Sequence, residues 1–401
     1  MGNTMKVMED HNNIPFIPCD VICNILKRLP MKSLIRFQCV CRDWKNLIES
    51  SSFNLEHLLH TSRPTLLLLL RCYHRVSLRI VLVDHSTMQV LEIQKPPLID
   101  PSINFRIVGS SNGLVCVEVG IEDRCMVPSP FSPKENGTVS PYFLLWNPLT
   151  RQFREVPRTM KGSNGYYDVG FVFNPIDDDF KIVTTYVTQF RFAVNPVEVY
   201  SLNSGSWKEV EFENFEGTNI RKGEKVIVNG VMFMFGGKQR PGDHSNTVVS
   251  IDLTKQVCIS TPLPFLKYEY KRINKRLTVY ENKLALVVVT LSYMIHLWVM
   301  EEDPCASGGR WIWTKKYTAS TLCDQLCTLA LNPVTIWKNE IVFRPFHLNV
   351  DDEEKKRLYL LDLTTNEIKR FKIKCGPGLV HGNFDHVESL VSVGNINDRE
   401  P

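Results

Sequence analysis

The chain has 401 residues, 43% of them hydrophobic and 22% charged, with 47 Lys and Arg against 43 Asp and Glu and a formal net charge of +4. These are the proportions of a globular chain holding one large domain or two to three modest ones. So small a charge gives no reason to propose nucleic acid or an anionic membrane as a partner.

Residues 1–14 are polar, with Lys6, Glu9, Asp10 and His11, and lack the apolar core of a signal peptide. They are expected to be disordered. Met1-Gly2 could open a myristoylation signal, but its sixth position is Lys6 rather than Ser or Thr. The most apolar run, Leu66–Leu70, is followed by Arg71. It is far shorter than the roughly 20 residues that cross a bilayer, and reads as a buried strand. The 12 cysteines are scattered without a CxxC pair or a matching His pair. That pattern predicts reduced, buried thiols, no metal site and no cofactor, in a protein of the cytoplasm, the nucleus or both.

Residues 17–48 predict three short amphipathic helices. Val21, Ile22, Ile25, Leu26 and Leu29 share one helical face. Pro18 and Asp20 suit its start, where a missing N–H costs nothing and a carboxylate meets the positive end of the helix dipole. Lys27 and Arg28 suit its end, and Pro30 stops it. Leu34, Phe37 and Val40 line one side of a second helix; Trp44, Leu47 and Ile48 mark a third, and Phe53 closes the unit. About forty residues cannot bury a sound core alone, so apolar side chains left over would suit docking.

This stretch resembles an F-box. The matching positions are Ile17-Pro18, Asp20, Leu29-Pro30, Lys32-Ser33-Leu34, Arg36-Phe37, Val40-Cys41, Arg42 and Trp44; Ile17 stands where Leu is usual, and Cys19 is uncommon. The resemblance assigns 15–60 to an F-box and implies a Skp-type linker as partner, and through it a cullin ubiquitin ligase. The expected contact and its supporting core are Ile17, Pro18, Val21, Ile22, Ile25, Leu29, Pro30, Leu34, Val40 and Trp44. Residues 49–64 read as a helical link.

Beyond residue 64 the texture changes to short Val, Ile, Phe and Tyr runs punctuated by Gly, Pro, Asn and Asp, which predicts many strands with tight turns. Related hairpins recur at 82–93, 145–157, 199–211, 250–262 and 360–373, with a longer version at 295–317. Inner hairpins fall between them at 105–119, 169–187, 225–237, 277–289 and 330–345. Two hairpins in about fifty residues make one four-stranded propeller blade, and the turns count to six. Residues 388–393 are expected to complete the blade begun by 65–93 and so close the ring. Residues 120–140 read as a long surface loop.

Residues 65–394 resemble the F-box-associated, kelch-like domain of plant F-box proteins of the S-locus F-box-like kind. The resemblance rests on Ser111-Asn112-Gly113-Leu114, Trp146-Asn147-Pro148-Leu149-Thr150, Gly170-Phe171, Val199-Tyr200-Ser201-Leu202 with Trp207, and Val387-Glu388-Ser389-Leu390-Val391-Ser392. Strict kelch blades each carry Gly-Gly, which here occurs at Gly236-Gly237 and Gly308-Gly309. The expected fold is mainly β, with a small all-α N-terminal module before a six-bladed propeller. The expected role is a non-catalytic substrate adaptor of a ubiquitin ligase. The alternatives are a carbohydrate-binding or glycosidase propeller and an F-box scaffold outside a ligase.

The motifs that could carry chemistry have simpler readings. Gly109–Gly113 matches G-x-S-x-G, but a strand follows where a nucleophile elbow needs a helix. Asn112-Gly113 is a hairpin turn. Asp177-Asp178-Asp179 lacks the spacing and distal Glu of a calcium loop and reads as a turn. Ser201–Trp207 predicts a turn with Trp207 packed between blades, and Trp298, Trp311 and Trp313 are expected on blade faces. No His/Asp/Ser set or HExxH is present in the order of residues.

Overall fold

The structure, a computed structural model, describes residues 17–50, 52–54, 56–57, 65–72, 77–84, 87–94, 105–120, 142–158, 166–187, 197–213, 218–238, 247–264, 274–290, 292, 294–302, 311–320, 331–345, 357–373 and 379–394. The expectations for 1–14 and for the loop 120–140 lie outside these residues, save Gly120. The chain divides into two units, Met1–Ser62 and Arg63–Pro401. Among the described residues no helix is long and apolar enough to cross a membrane.

In the first unit, α1 (Cys19–Leu26) starts after Pro18 with Asp20 in its first turn. It ends earlier than the apolar pattern predicts. Leu29 lies in a tightened turn whose N–H groups of Arg28 and Leu29 reach back three residues to Ile25 and Leu26. The Pro30 ring forbids helix at the residue before it, which fixes that early stop. α2 (Met31–Phe37) follows directly from Pro30. α3 (Arg42–Glu49) is capped by Cys41, whose Sγ accepts the Trp44 N–H at 3.4 Å. Residues 52–54 and 56–57 are again helical.

Leu26, Met31, Leu34, Ile48 and Phe53 form the buried core of this unit. Each such side chain contributes roughly 1.5–3 kcal/mol on burial. His57, also buried, donates from Nε2 to the Leu29 carbonyl at 2.9 Å and stacks on Phe53. Lys27 pairs with Glu56. These contacts tie the early turn to the end of the unit.

The second unit is a β-propeller of antiparallel four-stranded sheets, six among the described residues. The first sheet contains β1 (Thr65–Cys72), β2 (Ser77–Asp84) and β3 (Val90–Gln94), and the second β4 (Phe105–Ser111), β5 (Leu114–Val119), β6 (Tyr142–Trp146) and β7 (Phe153–Pro157). The third holds β8 (Tyr166–Asn174), β9 (Asp179–Val187), β10 (Val197–Ser201) and β11 (Ser206–Val210). The fourth holds β12 (Thr218–Val228), β13 (Val231–Lys238), β14 (Thr247–Asp252) and β15 (Val257–Pro262). The fifth holds β16 (Asn274–Tyr280), β17 (Lys283–Val289), β18 (Met294–Glu302) and β19 (Trp311–Ser320). The sixth holds β20 (Leu331–Trp337), β21 (Glu340–Pro345), β22 (Arg357–Asp362) and β23 (Ile368–Lys372). The last strand, β24 (Leu379–His386), returns to pair with β1 in the first sheet.

That return corrects the expected closing strand. Residues 388–393 are not in a strand; they cross onto the second sheet instead. Asn147 donates from Nδ2 to the carbonyls of Ser389 and Val391, and Ser389 Oγ donates to the Asn112 carbonyl. Val393 is buried beside Leu114, Phe143 and Leu145. The alternating apolar text of 387–393 therefore signals a buried clasp whose hydrogen bonds go to side chains and turns rather than to a ladder.

The turns explain the recurring sequence. At the end of the third strand of a blade, Asp84, Asn147, Asp252 and Asp362 each accept N–H groups two or three residues ahead. These are Asx turns, which the short side chains of Asp and Asn build locally. The inner hairpins turn on residues of positive φ, among them Asn112-Gly113 and Asn229-Gly230. A two-residue turn of this kind matches the twist of the strands it joins. The turn at Gly113 is also closed around Ser389, whose Oγ would lie 2.0 Å from any added Cβ.

The core lies between neighbouring sheets. Along β2, Ile80 and Leu82 pack with β4–β6, while Val81 and Val83 pack with β20–β22. Opposite faces of one strand thus serve two interfaces, and the strand must be apolar throughout. Trp207 on β11 and Trp313 on β19 repeat one device. Each indole donates at 2.9 Å to the carbonyl of a proline ending the preceding blade, Pro157 and Pro262 respectively.

Candidate functional site

The helical unit leaves apolar side chains in solvent. Ile17 is 50% exposed, Val21 42%, Ile25 52% and Val40 60%. Pro18 and Pro30 are exposed as well. Ile22, Leu29 and Trp44 are half-buried, and Trp44 meets the Phe37 ring edge-on at 5.5 Å. Four of the eight exposed large apolar residues among the described ones fall within 17–40. The other exposed ones, Leu91, Ile176, Ile259 and Trp311, are scattered over separate strands and turns. A local concentration of this kind marks an interaction surface.

The ten residues expected to form the contact and its supporting core divide by burial. Leu34 is fully buried and so acts as support, not contact. Val40 lies beyond the end of α2, where the turn lifts it away from the Leu34 face and into solvent. The sequence pattern missed the thiols beside this surface: Cys19, Cys39 and Cys41 are free and exposed. A cysteine scores as apolar, so periodicity alone cannot separate an exposed thiol from a core one. The glutamate partner of Lys27 raises that ammonium's pKa.

The propeller has a second feature, a cavity of about 350 Å³ bordered by all six innermost strands: β4, β8, β12, β16, β20 and β24. Lys225, Arg276 and Asp385 are the charged residues on its described wall. The Lys225 ammonium reaches Asp168 Oδ1, 2.6 Å away and buried behind the wall; burial pulls the lysine's pKa down. Asp385 is open to the cavity and accepts from Thr335 Oγ1 and the Trp337 indole. Enclosure by protein raises its pKa, against the pull of those bonds and of Arg276.

Two chemistries can be tested on this wall. Glycoside hydrolysis needs a pair of carboxylates; among the described residues bordering the cavity, Asp385 is the one carboxylate. Ser110 Oγ lies 2.8 Å from His386 Nδ1, the spacing of a nucleophile and its base. Burial, however, lowers the imidazole pKa to about 4. So weak a base is poorly matched to proton abstraction near neutral pH. Here the pair fastens β24 to β4. The G-x-S-x-G match dissolves likewise, because Asn112 and Gly113 form a turn into β5. Asp177 pairs with Lys181, and Asp179 accepts the Asn203 N–H, so two of the three consecutive aspartates are engaged in turn structure. Among the described residues no group of three or more His, Cys, Asp or Glu gathers as a metal site.

Comparison with known proteins follows this two-unit division. An F-box domain model matches residues 14–56, and an F-box associated beta propeller domain model matches 77–394. The chain is similar to three Arabidopsis thaliana proteins. F-box protein At5g65850 is 25% identical, covering 95% of this chain and 91% of the relative. F-box protein At2g21930 is 26% identical over 71% of this chain and 69% of its own length. F-box/kelch-repeat protein At3g23880 is 26% identical over 65% and 68% respectively. With helices, propeller and both family matches in register, the chain belongs to the F-box proteins that carry an F-box-associated β-propeller domain.

Proposed function

We propose that the chain is a substrate-recognition adaptor of an SCF-type cullin ubiquitin ligase. The exposed apolar cluster of Ile17, Val21, Ile25 and Val40 carries this reading, together with the F-box family match. An apolar cluster at the centre of an interface supplies most of its binding energy, and the linker's groove would take these side chains out of water. The propeller, a closed ring of six kelch-like blades in this reading, would hold a substrate protein close to the ubiquitin-charged enzyme. Positioning alone raises the effective concentration of the reacting groups, so no catalytic side chain is required of this chain. Exposed free thiols at Cys19, Cys39 and Cys41 favour a reducing location, cytoplasmic or nuclear.

The test is co-purification with a Skp-type linker. Val21→Asp with Ile25→Asp changes two exposed positions and leaves Leu26 and Leu34 in the core. The double variant is expected to weaken linker binding by about a hundredfold or more, as loss of two central apolar anchors would, with an unchanged melting temperature. Undiminished binding by a folded double variant would remove the assignment.

A further inference from the structure

Where the second and third blades meet, two polar side chains lack partners. We propose that Arg154 and Tyr200 form a carboxylate-binding site, in which the guanidinium and the phenol hold an Asp or Glu side chain of a protein partner. The proposal rests on the adaptor reading only for the bearer of that carboxylate, a substrate protein.

Three observations carry it. The first is a guanidinium with no acceptor. Arg154 is half-buried on β7, on the face it shares with Val156, which packs with Tyr200 and Leu202 of the third blade. Among the described residues every other half-buried Lys or Arg is engaged. Lys27, Arg106, Arg158, Lys181 and Lys225 pair with carboxylates, and the rest have partners too. Arg154 makes no hydrogen bond or ion pair with any described residue. A charge partly withdrawn from water is costly unless an acceptor meets it. The second is Tyr200. It is only 3% exposed, and among the described residues its hydroxyl has no hydrogen-bond partner. The oxygen is not sealed from solvent, as the orphaned Asp168 Oδ2 and Thr184 Oγ1 are. Burial raises the phenol's pKa, and the nearby Arg154 charge draws it back. An orphaned buried polar group calls for a ligand or a water, and here two unused donors stand side by side.

The third is shape. The guanidinium lies between two turns that carry glycine at positive φ, Gly205 between β10 and β11 and Gly394 at the end of the clasp. A Cβ on Gly205 would stand 3.1 Å from Nη2, and one on Gly394 would stand 3.0 Å from Nη1. Bare backbone on both sides thus leaves the planar fork uncrowded. A carboxylate matches that fork, since its two oxygens take two parallel N–H bonds and its single charge balances the guanidinium. A phosphate dianion fits less well. It would set two negative charges against one cation, with Asp179, whose Oδ1 accepts the Asn203 N–H, adding a third beside Tyr200.

The experiment is arginine-selective labelling of the full chain with phenylglyoxal, followed residue by residue by mass spectrometry. The probe is the tripeptide Leu-Glu-Leu, blocked at both ends; Leu-Gln-Leu and Leu-phosphoserine-Leu are the uncharged and the dianionic comparisons. The Glu peptide is expected to slow labelling of Arg154 saturably, while the exposed Arg151 and Arg370 react unchanged. Tyr200→Phe should raise the half-protecting concentration by about tenfold, the loss of one hydrogen bond to a charged group. If that variant melts early, the wild-type comparison of the three peptides still decides. Val21→Asp with Ile25→Asp should leave the protection intact, so failure of linker docking and failure of this site are read separately. No protection of Arg154, equal protection by the Gln peptide, equal slowing at Arg151, a folded Tyr200→Phe variant protected as well as wild type, or tighter binding of the phosphoserine peptide would each overturn the site.

Discussion

Asn147 shows how one side chain can hold two distant segments together. Fully buried, it donates to the carbonyls of Ser389 and Val391 at 3.0 and 2.8 Å and accepts from the N–H groups of Leu149 and Thr150. Asn147→Ala would break the Asx turn and strand one buried and one half-buried carbonyl. The expected loss is roughly 2–4 kcal/mol, read as a lower denaturant midpoint at unchanged slope. A loss below about 1 kcal/mol would mean that the clasp contributes little.

His386 gives a second prediction at this scale. Burial lowers its pKa from an ordinary 6.5 to about 4. Between those values the unfolded chain binds a proton that the folded chain does not, so stability falls as the solution is acidified. The contribution is fully present above pH 6.5 and is lost progressively down to about pH 4. Its size is roughly 3 kcal/mol. Urea midpoints measured across that window should fall, and His386→Asn should flatten this part of the profile. An equal slope in wild type and variant would show that the imidazole titrates normally.

At the scale of elements, the repeated Trp device suggests that blade contacts are built from similar parts. The indoles of Trp207 and Trp313 each donate to a proline carbonyl of the preceding blade. Trp→Phe at either position keeps most of the packing and removes the donor. Each variant is expected to cost roughly 1 kcal/mol. The double variant should equal the sum within about 0.5 kcal/mol, since the two sites share no partner. Strong non-additivity would mean that the blades communicate through more than their shared faces. The same scale explains why the helical unit keeps apolar residues outside. With α1, α2 and α3 spanning only 8, 7 and 8 residues, the core has room for one or two side chains from each helix. Val21 and Ile25 fall outside it.

At the scale of the whole molecule, the ring depends on a strand supplied from the far end of the chain. β24 pairs with β1 from Thr65–His386 to Arg71–Leu379, and its Asp385 accepts from Thr335 and Trp337 on β20. Removing 379–401 would leave β1 as an unpaired edge and open the contact with β20. The expected result is loss of a single cooperative unfolding transition, with aggregation through the bare edge. A truncated chain that stays monomeric and melts in one step would show that closure is dispensable.

Much of this was legible in the order of residues, for identifiable reasons. The inner and outer hairpins and the turns at Asn112-Gly113 and Asn229-Gly230 follow from local backbone chemistry that needs no distant partner. The helical module followed from Pro18, Pro30 and the apolar spacing between them. Tertiary structure decided what depends on partners far away in sequence. It made β24 the closing strand and turned 388–393 into a clasp, because alternating apolar residues suit either a ladder or a buried groove. It buried Leu34 and exposed Val40, which periodicity had placed on one face, because a helix ends where its hydrogen bonds end. It also gathered Lys225, Arg276 and Asp385 around one axis from positions as much as 160 residues apart, a convergence set by the ring and by no local pattern.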